Sequence, residues 1–269
     1  VKKMINWSLY KQSIKSNYKI LLIFLAILTL YITVIIGIYN PTSMNALAEF
    51  YESMPEIMAM VGMNGDSTSL IGFLITYLYG FLFLVLPLVV TIIISNRLIA
   101  SHVDRGSMAY LLSSPNSRGK IIFTQIKVLA TSILIVIAYC TIVTIISCAL
   151  MHPGELEIGK LLIINLGLLA FHLFIGGICF LSSTIFNETK YSLMFGAGIP
   201  FVFYLIQMLA NMGGKLENLK YFTIFSLFRP LDIINGKGSA YLMIVILFLM
   251  AFILYILSYF IFKKKNLSI

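Results

Sequence analysis

The sequence predicts an all-helical polytopic membrane protein, and three observations carry that prediction. Of the 269 residues 60% are hydrophobic and 11% charged, against roughly 45–50% and about 25% in an ordinary soluble domain. The mean hydropathy is +0.99 along the whole chain, so apolar surface is not confined to the lining of one core. The apolar residues gather into six runs near the roughly 20 residues that a helix needs to cross the hydrocarbon layer. Alternating ten-residue strands are absent, which leaves helices as the form in which this backbone can satisfy its own hydrogen bonds in lipid. The chain reads as one transmembrane domain over residues 1–269.

Residues 1–19 precede the first run. Met4, Trp7, Tyr10, Ile14 and Tyr18 recur at spacings of 3, 3, 4 and 4 among Lys2, Lys3, Lys11 and Lys15, the pattern of an interfacial amphipathic helix with lysines turned towards anionic membrane lipids. The expected spans follow at 20–39, 70–95, 128–150, 161–185, 193–210 and 241–262. The first exceeds the roughly 7–15 residues of a signal-peptide core and lacks a small-residue cleavage site, so it reads as a retained helix. Pro87 and Pro200 fall inside spans, where neighbouring helices must satisfy the carbonyls they free.

With six spans the two termini share a side. Lys2, Lys3, Lys11, Lys15, Lys19, Arg97, Arg105, Arg118, Lys120, Lys127, Lys190, Lys263, Lys264 and Lys265 lie on that side, fourteen of the nineteen basic residues. The positive-inside rule therefore places both termini in the cytoplasm. A net charge of +9 distributed in this way orients the chain in a membrane; no nucleic-acid partner is expected.

The first outer loop repeats Leu47, Phe50, Met54, Ile57 and Val61 at helical spacing and carries Met44, Met54, Met58, Met60 and Met63. Thioethers are soft Cu(I) ligands, but they equally make a pliable apolar face, and no Cys or His stands with them; no metal site is expected. Cys140, Cys148 and Cys179 lie inside apolar runs without ligand or disulfide spacing. The outer segment from Leu216 to Ile234 is apolar but interrupted by Lys220, Arg229 and Pro230, which suggests a short re-entrant or surface-lying helical pair ahead of the last span.

Residues 96–127 form the most informative inner loop. Gly106 is suited to break the incoming helix, Ser107 to cap a new one, and Met108, Leu111 and Leu112 then share a face until Ser114, Pro115 and Asn116 signal a turn. A short helix, apolar on one face and held between two spans, is what docking into another protein requires.

The run Arg-Leu-Ile-Ala, then Asp-Arg-Gly-Ser, then Tyr-Leu-Leu-Ser-Ser-Pro-Asn-Ser-Arg, from Arg97 to Arg118, resembles the inner loop of bacterial ABC type-2 permeases, the membrane subunits of ATP-driven exporters. The order of elements is similar to that family over the whole chain. The resemblance implies a bacterial cytoplasmic-membrane permease that exports a peptide, antibiotic, lipid or drug. It implies a second permease as homo- or heterodimer, and separate ATP-binding cassette ATPase subunits that hold the ATP and Mg. On the same ground Asp104, Arg105, Gly106, Ser107, Met108, Leu111, Leu112, Ser113, Pro115 and Arg118 are the expected ATPase-coupling loop, with Gly106 to Ser113 in or beside a coupling helix. The chain departs from the pattern at His102, where many relatives carry Glu.

The residues agree with a transport subunit that is not itself an enzyme and binds no cofactor. No phosphate loop occurs, since Gly213-Gly214-Lys215 and Gly236-Lys237-Gly238 lack its spacing and its following Ser or Thr. A membrane-embedded hydrolase would need a nucleophile with a base, a metal site or paired carboxylates, and the spans hold none of these constellations. A secondary transporter or channel would be expected to show midplane carboxylates or an inverted repeat, whereas all ten acidic residues lie in loops. Within the spans, Asn165 and His172 lie seven residues apart, so both face one way. They and Gln207 are the candidates to line a path, with a neutral His172 bonded across helices as the structural alternative. Gly176 and Gly177 read as close-packing positions.

Overall fold

The computed structural model describes residues 5–40, 54–62, 69–113 and 116–265. Six helices in it are long and apolar enough to cross a membrane: Trp7–Ile38, Leu70–Asp104, Arg118–Met151, Ile158–Ile185, Thr189–Asn211 and Gly238–Lys264, here spans one to six. No strand occurs among the described residues. At 1.5 Å per residue, the 32 residues of span one and the 34 of span three run about 50 Å, well beyond a hydrocarbon layer of about 30 Å.

That excess length corrects the expected start of the chain. The amphipathic stretch is not a separate helix but the first turns of span one, continuous from Trp7. Nothing between Lys15 and Leu22 stops it: there is no Gly or Pro. Its first turn is capped by Asn6, whose Oδ1 accepts from the Leu9 amide at 3.1 Å, while the Asn6 amide donates to Thr124 Oγ1 of span three. Met4, Lys2 and Lys3 lie outside the described residues. Span three likewise begins earlier than its apolar run, at Arg118, with Ser117 as its cap.

Span two is composite. Ser69 caps Leu70–Leu74, a π-helix occupies Ile75–Leu82, and α-helix resumes from Phe83 to Leu98 with Pro87 inside it. A π-turn bonds i to i+5 and leaves the regular ladder; Pro87 removes one more donor, the amide that would reach Phe83.

Span four is the most enclosed of the six, and its small residues explain why. A Cβ on Gly176 would stand 2.7 Å from Tyr255 Oη and 2.8 Å from Ile133 Cδ1, and one on Gly177 2.9 Å from Leu254 Cβ. Without Cβ atoms at those positions span six lies directly against span four, the close approach on which helix association in lipid depends. Span five packs on the same helix through Cys179 Sγ to the Gly196 carbonyl, 3.1 Å, and Ser182 Oγ to the Ser192 carbonyl, 2.9 Å.

The outer segment is three short helices rather than a pair: 3-10 turns at Gly214–Phe222 and Ile224–Leu227, then an α-turn at Pro230–Ile234. Extended backbone at Thr223 and Phe228 divides them. The first is exposed, whereas Phe225, Phe228 and Ile233 are buried, with Phe225 and Phe228 against Phe171 of span four. In the first outer loop the described helix is Pro55–Met60, with Met54 and Ile57 exposed; Met44, Leu47, Phe50 and Met63 lie outside the described residues.

Candidate functional site

The inner loop is built by successive interruptions of one helix. At Ile99 the backbone turns to φ −130° and ψ −66°, and the freed amide of Ala100 donates to Ser183 Oγ of span four at 2.9 Å. A turn of helix, Ala100–Asp104, ends before Gly106, whose φ of +69° is left-handed, a conformation that glycine adopts at no steric cost. The helix Met108–Ser113 follows.

Each expected coupling residue can be placed except Pro115, which lies outside the described residues. Asp104, Arg105, Gly106 and Ser113 are exposed. Asp104 Oδ2 accepts from the Thr189 amide at 3.3 Å, tying the loop to the start of span five. Ser107 does not turn to the helix it precedes: its Oγ lies 2.9 Å from His102 Nδ1 and donates to the His102 carbonyl.

The apolar face requires a correction. Met108 is 2% exposed and belongs to the buried core, and Leu111 and Leu112 are half-buried against it, so the stripe read as a docking surface holds the loop helix to its own bundle. Periodicity shows that a face is apolar but not which body covers it. The residue that stands out is Tyr110, 81% exposed, which sequence reasoning passed over. An aromatic residue off the apolar stripe, between Met108 and Leu111, was the available signal.

Arg118 reaches across the same end of the bundle. Its Nη1 donates to the Lys265 carbonyl at 2.6 Å, and Lys265 Nζ donates to the carbonyls of Thr184 and Phe186 at the end of span four, 2.9 and 3.0 Å. These bonds close two open carbonyls of a helix C-terminus with a cation, the favoured sign there. Desolvation at this half-buried position nevertheless pushes the Lys265 ammonium down to about 8.

Of the three path candidates, two face span two and bond to it through one polar atom each, while Asn165 Nδ2 and His172 Nδ1 have no partner among the described residues. Tyr79 donates to Asn165 Oδ1 at 2.9 Å, and His172, fully buried, bonds through Nε2 to the Phe83 carbonyl at 2.7 Å. A carbonyl only accepts, so Nε2 carries the proton. The seven-residue spacing on span four thus matches a four-residue spacing on span two. For His172 this is the cross-helix imidazole that stood as the structural alternative to lining a path.

Gln207 is placed differently. With Tyr79, Tyr204 and Asn211 it borders an outer cavity of about 310 Å³ whose other walls include Gly80, Phe228 and Arg229. Gln207 Nε2 donates to Asn211 Oδ1 at 2.7 Å, while Gln207 Oε1 and Tyr204 Oη have no partner among the described residues. One wall rests on a backbone contact. A Cβ on Gly80 would stand 2.7 Å from the Gly62 carbonyl oxygen, so glycine is what lets the first outer loop close over the π-helix. The cavity is mixed in character, with aromatic sides and Arg229 and Asp232 at hand, 3.9 Å apart.

In a comparison with protein families, residues 7–267 match the model described as ABC-2 family transporter protein. No curated protein matches the chain.

Proposed function

Because the chain belongs to the ABC-2 family of transporter proteins, and is therefore the permease component of an ABC transporter, we propose that it is an export-type subunit. In this reading it pairs with a second permease and with two separate ATP-binding subunits, and it moves a hydrophobic or amphipathic substrate. ATP and Mg are bound by the partner ATPases. The observation that carries the reading is a family match over nearly the whole length of a six-span chain.

The mechanism follows from what the inner loop is fastened to. Closure of the ATPases on nucleotide displaces the segment from Arg105 to Ser113, with Tyr110 as the side chain inserted into the partner. Asp104 passes the displacement to span five through Thr189, and Ala100 passes it to span four through Ser183. Within span two the π-helix and Pro87 are where the backbone yields, and the outer cavity with Gln207 lies at the far end of that yielding segment.

The test is a C-terminally tagged chain extracted from its native membrane in mild detergent, with co-purifying proteins identified by mass spectrometry. A stoichiometric ATP-binding subunit is expected, lost on Tyr110→Asp. Aspartate at Leu111 and Leu112 is a poorer probe, since those side chains also pack inward. An undiminished complex from Tyr110→Asp with Arg105→Glu removes the loop from the docking role, and a chain that yields no ATPase even after crosslinking overturns the assembly.

A further inference from the structure

A second cavity, of about 280 Å³, lies at the inner end between span one and the start of the inner loop. Its walls include Ser13 and Asn17 from span one and Arg97, Ser101, His102 and Arg105 from the other side, and no Asp or Glu lines it. Neither guanidinium has an ion-pair partner among the described residues. Two unpaired guanidiniums facing hydroxyls across a small cavity make a site for a phosphate-bearing anion, because the planar fork of arginine matches phosphate oxygens with paired hydrogen bonds.

Two features narrow the ligand. The cavity lies at headgroup depth: the apolar run of span two ends at Ser95, two residues before Arg97, and that of span one begins at Ile20, three residues after Asn17. Asn17 is 2% exposed; its Nδ2 donates to the Ser13 carbonyl at 2.9 Å, but its Oδ1 has no partner among the described residues. A buried acceptor left open is costly, and it calls for a ligand that offers a donor beside its phosphate. The geometry points to a binding site for an anionic phospholipid headgroup that carries hydroxyl groups, of the phosphatidylglycerol class. Bound there, the headgroup bridges span one to Arg105, one residue from the Gly106 break, and so sets the position of the coupling loop from the lipid side.

The experiment is native mass spectrometry of the full chain released from nanodiscs, alongside thermal unfolding in the same lipids. The wild-type chain is expected to retain one phosphatidylglycerol, to retain no phosphatidylcholine and to melt higher in the first lipid. Arg97→Gln with Arg105→Gln is expected to weaken that retention at least about tenfold while melting as wild type in phosphatidylcholine; the single Arg105→Gln serves if the double variant does not fold. Lys11→Gln with Lys15→Gln, on the exposed side of span one, should leave retention unchanged. Loss of the lipid on the lysine substitutions instead, or its persistence in the arginine variants, overturns the site. A full melting increment from inorganic phosphate in phosphatidylcholine, abolished by the arginine substitutions, overturns the lipid assignment in favour of a free phosphate.

Discussion

His172 donates its Nε2 proton across 2.7 Å to the main-chain carbonyl of Phe83, and the residue four places beyond Phe83 is Pro87. In an unbroken α-helix that carbonyl would accept from residue 87. Proline has no amide hydrogen, so the imidazole of one span repairs the ladder of another.

Removing the imidazole should therefore expose that vacancy. His172→Ala is expected to lower stability in detergent by about 1–2 kcal/mol, within the range of interhelical hydrogen bonds and open buried acceptors. In a Pro87→Ala background, where an amide is restored, the same substitution should cost much less. Equal costs in the two backgrounds of this double-mutant cycle would separate the histidine from the proline.

Adjacent glycines on span four should differ. At Gly176 a new methyl group meets the ends of Tyr255 and Ile133, which can rotate away; at Gly177 it meets Leu254 Cβ, fixed to the backbone of span six. Gly177→Ala is expected to destabilise by about 1–3 kcal/mol, as overpacking does, against a helix-propensity gain of about 1 kcal/mol. Gly176→Ala should be the milder change, and thermal unfolding of the pair decides the order.

Lys265 gives the inner end a pH dependence. Its native pKa is pushed down to about 8 from the ordinary lysine value of 10.5, so between those limits the unfolded chain holds more protons than the folded one, and stability rises with pH there. Below about pH 8 both states are protonated and the contribution is flat at its least favourable. The stability difference between wild type and Lys265→Met should shift in favour of wild type from about pH 8 to about pH 10. A difference constant over that window would mean that the buried amine does not titrate there.

Asp104 joins the loop to span five by one exposed hydrogen bond, so Asp104→Ala should spare folding and ATPase association. Transport per ATP hydrolysed is expected to fall several-fold. A reconstituted complex in which Asp104→Ala leaves that ratio intact would take this bond out of the coupling route.

Much of this architecture is legible in the sequence because the bilayer imposes it: six apolar runs become six helices, and Gly106 adopts the left-handed turn that few other residues accept. What was not legible depends on partners in space. The lysines before Ile20 look like an interface, yet no residue there stops a helix, so span one runs through from Trp7. Met108, Leu111 and Leu112 form a stripe, but the spacing is the same whether the stripe faces a partner or its own core. The role of His172 was half visible, since Pro87 announces an open carbonyl four residues back; only the fold shows which span supplies the donor.

The π-helix at Ile75–Leu82 also changes how span two can be mapped. Its turns take up more residues than α-turns, so the rows of side chains before and after it are out of phase. A single helical wheel drawn through Leu70 to Leu98 superimposes positions that point in different directions. A cysteine-accessibility scan along this span should show two periodic patterns with a slip between them, and a one-residue deletion within Ile75–Leu82 should rotate the outer rim relative to the inner loop.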